Sequence, residues 1–371
     1  MQEEVVAYFK SLQDTICKGL EQADGSAKFT EDKWERDGSP GQIRPMADGG
    51  GGRTRVIQNG NVIEKGGVNF SAVYGKAPDF LSKEAGIEGS IPKTFFATGV
   101  SIVIHPHSPM VPIIHMNVRY LETTPLPALP QGERAKAELH AQSSPPLASA
   151  KRSGEARLGE TCLPVRQVRE GVAWFGGGID LTPIYVVEED AKYFHTELKK
   201  VCDKFSPNYY PDFKKWADDY FFIKHRNETR GVGGIFFDHL CPSPRLREAL
   251  WRSEVEGDKG GGHSLKNIFS FVQALGNSFL PIYSHLIQKN KDKQFTEMEK
   301  QWQFLRRGRY AEFNLVYDRG TKFGLETNGR TESILMSLPP QANWAYDHTP
   351  EKNSAEEKTL SFLKKGIEWV K

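Results

Sequence analysis

Residues 105–120 read HPHSPMVPIIHMNVRY. Three histidines, an asparagine and an arginine lie among valines and isoleucines, and prolines at 106, 109 and 112 break the run. Alternate side chains of a strand share a face. Over 113–121, His115, Asn117 and Arg119 therefore point one way and Ile114, Met116, Val118 and Tyr120 the other. His115 and Arg119 would stand about 13 Å apart at ~3.3 Å per residue, enough for a large ligand. The preceding ATGVSIVIH puts Ser101, Val103 and His105 on one face, and a hairpin through PHSP would align the two segments. These residue types suit a metal site, an acid/base site or a surface for an anionic ligand; the solvated face of an edge sheet is the alternative, but such faces usually carry Thr, Lys and Glu rather than Ser, His, Asn and Arg.

Outward from this stretch, residues 2–22 space Val5, Phe9, Leu12, Ile16 and Leu20 as an amphipathic helix does. VIQNGNVIEKGGVNFSAVYG, 56–75, reads as strands joined by turns, with Asn59-Gly60 the usual type I′ hairpin signal. Helical spacing returns at 188–205, 211–224, 264–290 and 295–307. RYAEFNLVYDRG then reads as a last strand, with Tyr310, Glu312, Asn314, Val316 and Asp318 on one face and Asp318-Arg319 at its end beside Gly320. Sheet, helices and sheet again predict an α+β fold rather than a βαβ alternation.

One domain is expected over residues 1–371, interrupted at about 125–165 by a Pro/Ala-rich insert. That segment has almost no aromatic residues, so it cannot bury enough apolar surface to offset its ordering entropy and is expected to be a flexible loop.

Lys+Arg 49 against Asp+Glu 47 leaves a formal charge of +2, too balanced for a dedicated nucleic-acid binder. Cysteines 17, 162, 202 and 241 form no CxxC pair, which fits a reduced, cytoplasmic setting. No stretch approaches the length of a membrane span, and the start resembles neither a signal nor a transit peptide. WFGGGIDLTP, 174–183, lacks the spacing of a phosphate loop; its glycines suit close packing of backbone on backbone or on a flat ligand. GVGGIFFDHL, 231–240, is treated alike. His105, His115, His195 and His225 would have to converge to hold a metal, and no HExxH or i, i+4 pair supports that.

The stretches GVSIVIHPHSPMVPIIHMNVRY, WFGGGIDLTPIY, KHRNETRGVGGIFFDH and RRGRYAEFNLVYDRGTKFGLETNGRTESILMSLPP together resemble the oxygen-dependent coproporphyrinogen III oxidases of haem synthesis. They lie in order and cover most of the chain outside the insert. The resemblance implies a large flat antiparallel β-sheet sandwiched between helices on both faces, a homodimer, and no organic cofactor. It implies conversion of coproporphyrinogen III to protoporphyrinogen IX, two propionates becoming vinyl groups, with molecular oxygen consumed and carbon dioxide and hydrogen peroxide released.

Position by position, it makes His115 a proton donor and Ser101, Asn117, Val118 and Arg119 substrate contacts. Asn328, Gly329 and Arg330 match a second binding segment; Asn328 stands where bacterial members tend to have glycine, so only its backbone role carries over. Asp318 and Arg319 match a pair that meets the pyrrole N–H groups and assists proton removal. Some descriptions of the family assign His105, His115, His195 and His225 to a divalent metal; the expectation here is none. The insert is far longer than the family's usual connection.

Overall fold

The computed structural model describes residues 1–36, 49–76, 94–123, 172–242, 264–326 and 330–370. The expected insert lies outside them. Helix α1 (Gln2–Asp24) buries Val5, Phe9, Leu12, Ile16 and Leu20, the predicted apolar stripe. Gly25, φ 82°, ends it in the left-handed conformation that costs glycine nothing.

Strands β1 (Thr30–Arg36), β2 (Gly49–Gln58), β3 (Ile63–Lys76), β4 (Thr94–Pro106), β5 (Ile113–Thr123) and β6 (Val172–Thr182) pair antiparallel with their neighbours in sequence. The β2–β3 connection departs from a two-residue type I′ turn: of the predicted pair only Asn59 takes a positive φ, 56°. Here the Asp24 carboxylate accepts hydrogen bonds from the main-chain N–H groups of Asn61, Val62 and Ile63 and spreads the loop over residues 59–62.

Helices α2 (Glu188–Asp203) and α3 (Tyr209–Tyr220) follow, then a small hairpin of β7 (Phe222–Ile223) and β8 (Glu228–Thr229). Strand β9 (Gly233–Leu240) returns to the main sheet beside β6, giving seven strands in the order β1-β2-β3-β4-β5-β6-β9. The chain continues through α4 (Leu265–Asn290), α5 (Glu297–Val316), α6 (Arg319–Glu326), α7 (Thr331–Leu335) and α8 (Ala355–Phe362). Among the described residues no helix is long and apolar enough to cross a membrane.

The segment predicted as a last strand is the second half of α5. Its alternating letters fit a strand over a few residues. Over the full length, however, Trp302, Arg306, Arg307, Tyr310, Ala311, Phe313 and Asn314 are buried at intervals of three and four, and the longer period prevails. A capping box starts the helix: Thr296 accepts from the Glu299 N–H while Glu299 accepts from that of Thr296. Asp318 accordingly ends no strand; it lies between α5 and α6.

One face of the sheet carries Val68, Val100, Ile102, Ile114, Met116, Val118, Tyr120, Ile179 and Phe237 into a core shared with α1, α2 and α4. Burying an aliphatic side chain of this size stabilises by about 1.5–3 kcal/mol. A one-residue slip of β5 would expose four such groups at once, so its register is firmly set. The other face lies under α5 and α7: Val103 and Ile113 pack with Trp302 and Tyr310, and Asn69 and Thr54 bond to Ser333.

Candidate active site

The β4–β5 register places Ser101 opposite Asn117 and Val103 opposite His115, the alignment expected of the hairpin. A row across the sheet reads Asp32, Thr54, Asn69, Ser101, Asn117, Gly178, Phe236. With strands ~4.8 Å apart it spans about 29 Å. Flanking rows carry Val103, His115 and Asp180 on one side and Gly99, Arg119 and Gly176 on the other. Ser101, His115, Asn117 and Arg119 remain partly exposed on this face. Glycines 99, 176 and 178 between them present backbone, leaving a broad polar trough.

Beneath it His115 Nδ1 lies 2.8 Å from Asp180 Oδ1, and Arg230 Nη2 lies 2.6 Å from Asp180 Oδ2. Asp180 and Arg230 are 2% and 3% exposed. Burial alone would raise the Asp180 pKa, but Arg230 and His115 outweigh it and hold the carboxyl below its usual range. An ionised carboxylate only accepts, so Nδ1 of His115 carries a proton toward Asp180. The Arg230 guanidinium sits 4.3 Å from the Phe221 ring and 4.7 Å from those of Tyr310 and Phe313, and Nη1 donates to Asn314 Oδ1 at 2.9 Å.

Asp318 is linked to β9 through Tyr220. Its carboxylate accepts from Tyr220 Oη at 2.8 Å and from the Thr321 N–H at 2.7 Å, capping α6. The Tyr220 ring stacks on Phe236, centroids 4.3 Å apart. Arg319 is exposed and donates its main-chain N–H to Tyr220 Oη. At the far end of the row Arg330 forms an ion pair with Asp32 of β1.

Comparison with known proteins identifies the family. The model of the family described as coproporphyrinogen III oxidase matches residues 4–138 and 153–369. The chain is 42% identical over 367 residues to coproporphyrinogen-III oxidase 1, chloroplastic, of Arabidopsis thaliana, covering 97% of this chain and 77% of that protein. It is 43% identical, with the same coverage, to the oxygen-dependent chloroplastic enzyme of Glycine max. It is 42% identical over 365 residues to the oxygen-dependent coproporphyrinogen-III oxidase of Prochlorococcus marinus (strain NATL2A), covering 96% and 88%. The chain belongs to the coproporphyrinogen III oxidase family.

In this family member the four histidines occupy four settings. His105 is fully buried, with Nε2 2.9 Å from Ser337 O, and burial pushes its pKa down to about 3. His195 lies in the helical core on the opposite face of the sheet, between Tyr210 Oη and Val232 O at 3.0 Å each, and burial pushes it likewise to about 3. His225 stands at the surface between Tyr317 Oη and Glu312, 2.8 Å from each. His115 faces Asp180. Among the described residues no group of three or more His, Cys, Asp or Glu side chains is arranged to hold a metal ion.

Val118 turns its side chain into the core, away from the trough. Asn328 and Gly329 lie outside the described residues. Sequence reasoning passed over Asp180, Arg230, Asp238 and Tyr220. Two lie within segments read for their glycines, and the one available signal was a charged residue inside a glycine-rich apolar stretch.

Proposed function

We propose that the chain catalyses the oxygen-dependent oxidative decarboxylation of coproporphyrinogen III to protoporphyrinogen IX. The observation that supports this most is a family sheet that turns Ser101, His115, Asn117 and Arg119 onto one partly open polar face. A tetrapyrrole bearing four carboxylates needs arginines, whose planar fork both holds and orients a propionate; Arg119 and Arg330 serve there, with Ser101, Asn117, the Val118 strand and the Asn328-Gly329 segment as further contacts.

Each of the two reacting propionates loses carbon dioxide and the equivalent of a hydride from the carbon next to the ring, and the other two are kept. Molecular oxygen accepts the two electrons and two protons and leaves as hydrogen peroxide. An electron-rich pyrrole can supply those electrons itself, so the reading needs neither metal nor organic cofactor. Asp318 accepts from pyrrole N–H groups and steadies positive character in the ring, with the Arg319 charge beside it. His115, its Nδ1 fixed by Asp180, moves a proton at Nε2. A homodimer acting in the cytoplasm completes the proposal, and light scattering at twice the chain mass would support the dimer.

The test is incubation with coproporphyrinogen III in air and without oxygen, before and after chelation, following porphyrin product and oxygen uptake. Turnover only in air, surviving chelation, is expected. Substrate bound but unconsumed in air would make the protein a carrier. Complete loss on chelation, restored by one metal, would overturn the metal-free reading.

A further inference from the structure

Arg119 reaches across a whole strand. Its Nη2 lies 2.7 Å from Asp238 Oδ2 on β9, although β6 stands between β5 and β9. The passage is open because the residue opposite Arg119 on β6 is Gly176. A Cβ there would stand 2.6 Å from Asp238 Oδ1 and 2.8 Å from Arg119 Nε, nearer than real contacts allow.

Strand β9 delivers Asp238 through an irregularity. Phe237 pairs with Gly177 and Leu240 with Phe175, so Asp238 and His239 share the place opposite Gly176. His239 takes φ 50°, a conformation that side-chain-bearing residues seldom adopt. Its N–H donates to Asp238 Oδ1 at 2.9 Å and its ring stacks on Trp174, centroids 5.1 Å apart. The bulge thus turns both residues toward the trough, and backbone held this way gathers where function over-determines it. Burial would raise the Asp238 pKa, yet Arg119 and His239 hold it below the usual carboxylate range.

We propose that Asp238 and Gly176 are positioning residues for Arg119, fixing its guanidinium plane before a propionate arrives. This rests on the proposed grip of Arg119 on a substrate carboxylate. With Nη2 engaged and Nη1 3.4 Å from Asn117 Oδ1, the fork has little freedom left. Its loss would cost geometry more than attraction, because the cation remains when Asp238 is neutralised. A bound ring displaced by an ångström reacts about 10²-fold slower while binding nearly as well.

The experiment measures kcat and KM for coproporphyrinogen III, with melting temperature, in Arg119→Gln, Asp238→Asn, their double variant and Gly176→Ala. Asp238→Asn should lower kcat about ten- to hundredfold with KM within about threefold, and the double variant should be no slower than Arg119→Gln alone. Near-normal kcat in Asp238→Asn, or a double variant losing the product of the two single losses, would overturn the inference. Should Asp238→Asn fail to fold, Gly176→Ala carries the test, since it displaces the same pair with both charges kept; unchanged kcat and KM there would overturn it. A silent Arg119→Gln removes the propionate grip and the inference with it, whereas a damaging Arg119→Gln beside a silent Asp238→Asn removes the inference alone.

Discussion

The two faces of one sheet are built on opposite rules. On β5, Ile114, Met116, Val118 and Tyr120 are at most 1% exposed and pack in the apolar core, where the Tyr120 hydroxyl donates to Glu122. One residue out of phase, His115, Asn117 and Arg119 are partly open, and the ion pairs and hydrogen bonds around them join β5, β6, β9 and α3 with the connections that carry Arg230 and Asp318. The apolar face carries the stability that lets the polar face keep charges in unfavourable places.

The largest effect that would break this division is expected at Asp318→Asn. Asparagine can still accept from the Thr321 N–H and cap α6, so stability should change by about 1 kcal/mol or less. Turnover should fall roughly 10²- to 10⁴-fold if the charge serves the reacting ring. Turnover and melting temperature on one preparation decide it: near-normal turnover makes Asp318 a helix cap only.

Next comes a paired substitution of sequence neighbours. Met116→Ala should cost about 2–5 kcal/mol by emptying core volume, with turnover per folded molecule intact. Asn117→Ala should shift stability by about 0.5 kcal/mol and cut kcat/KM. Urea titration with assays at equal folded concentration compares them. Equal losses of both kinds in both variants would show that the faces are not independent.

How far all this was legible before the structure follows from period. Ser101, His115, Asn117 and Arg119 lie on two consecutive strands joined by a tight connection, so alternation alone placed them together. Asp180, Arg230 and Asp238 come from three other segments, and their meeting depends on β9 returning beside β6 after two helices, a crossover that no local pattern announces. RYAEFNLVYD misled because its alternation satisfies a strand over ten residues while the helical period needs the residues before it. The error moved Asp318 from a strand end to a helix cap and left its link to Phe236, through Tyr220, to be found in the structure.

A third test uses pH. Glu312 accepts from His225, Arg226, Arg309 and Trp344. Burial would raise its pKa, but Arg226, His225 and Arg309 bring it down to about 2, against 4.5 for a free glutamate. A depressed carboxyl stabilises fully above the unfolded value and loses that contribution as pH falls through the folded one. The contribution should therefore be whole at pH 7 and fade between about pH 5 and 2. The stability gap between the protein and Glu312→Gln should shrink from pH 7 to pH 3, while the Met116→Ala gap persists. Denaturant midpoints at both pH values check it; a Glu312 gap independent of pH would mean that packing, not charge, holds the polar layer.

The smallest effect sets how much of the polar face works. Arg330 lies at the β1 end of the row, paired with Asp32 and 26% exposed. Four strand spacings, ~19 Å, separate Asp32 from Asn117. Two arginines at separated places on one face suit a ring whose carboxylates radiate in several directions. A guanidinium can hold Asp32 with one edge and a propionate with another, whereas an ammonium is a point charge that must divide itself between them. Arg330→Lys should therefore weaken substrate binding by about 1.5–3 kcal/mol, the range for hydrogen bonds to charged groups. Stability should move by only about 0–1 kcal/mol, since the pair with Asp32 is a surface one. Anaerobic titration with coproporphyrinogen III reads the affinity directly. Unchanged binding would take Arg330 out of the site and shorten the working face to β4, β5, β6 and β9, where Arg119 would then be the trough's main cation.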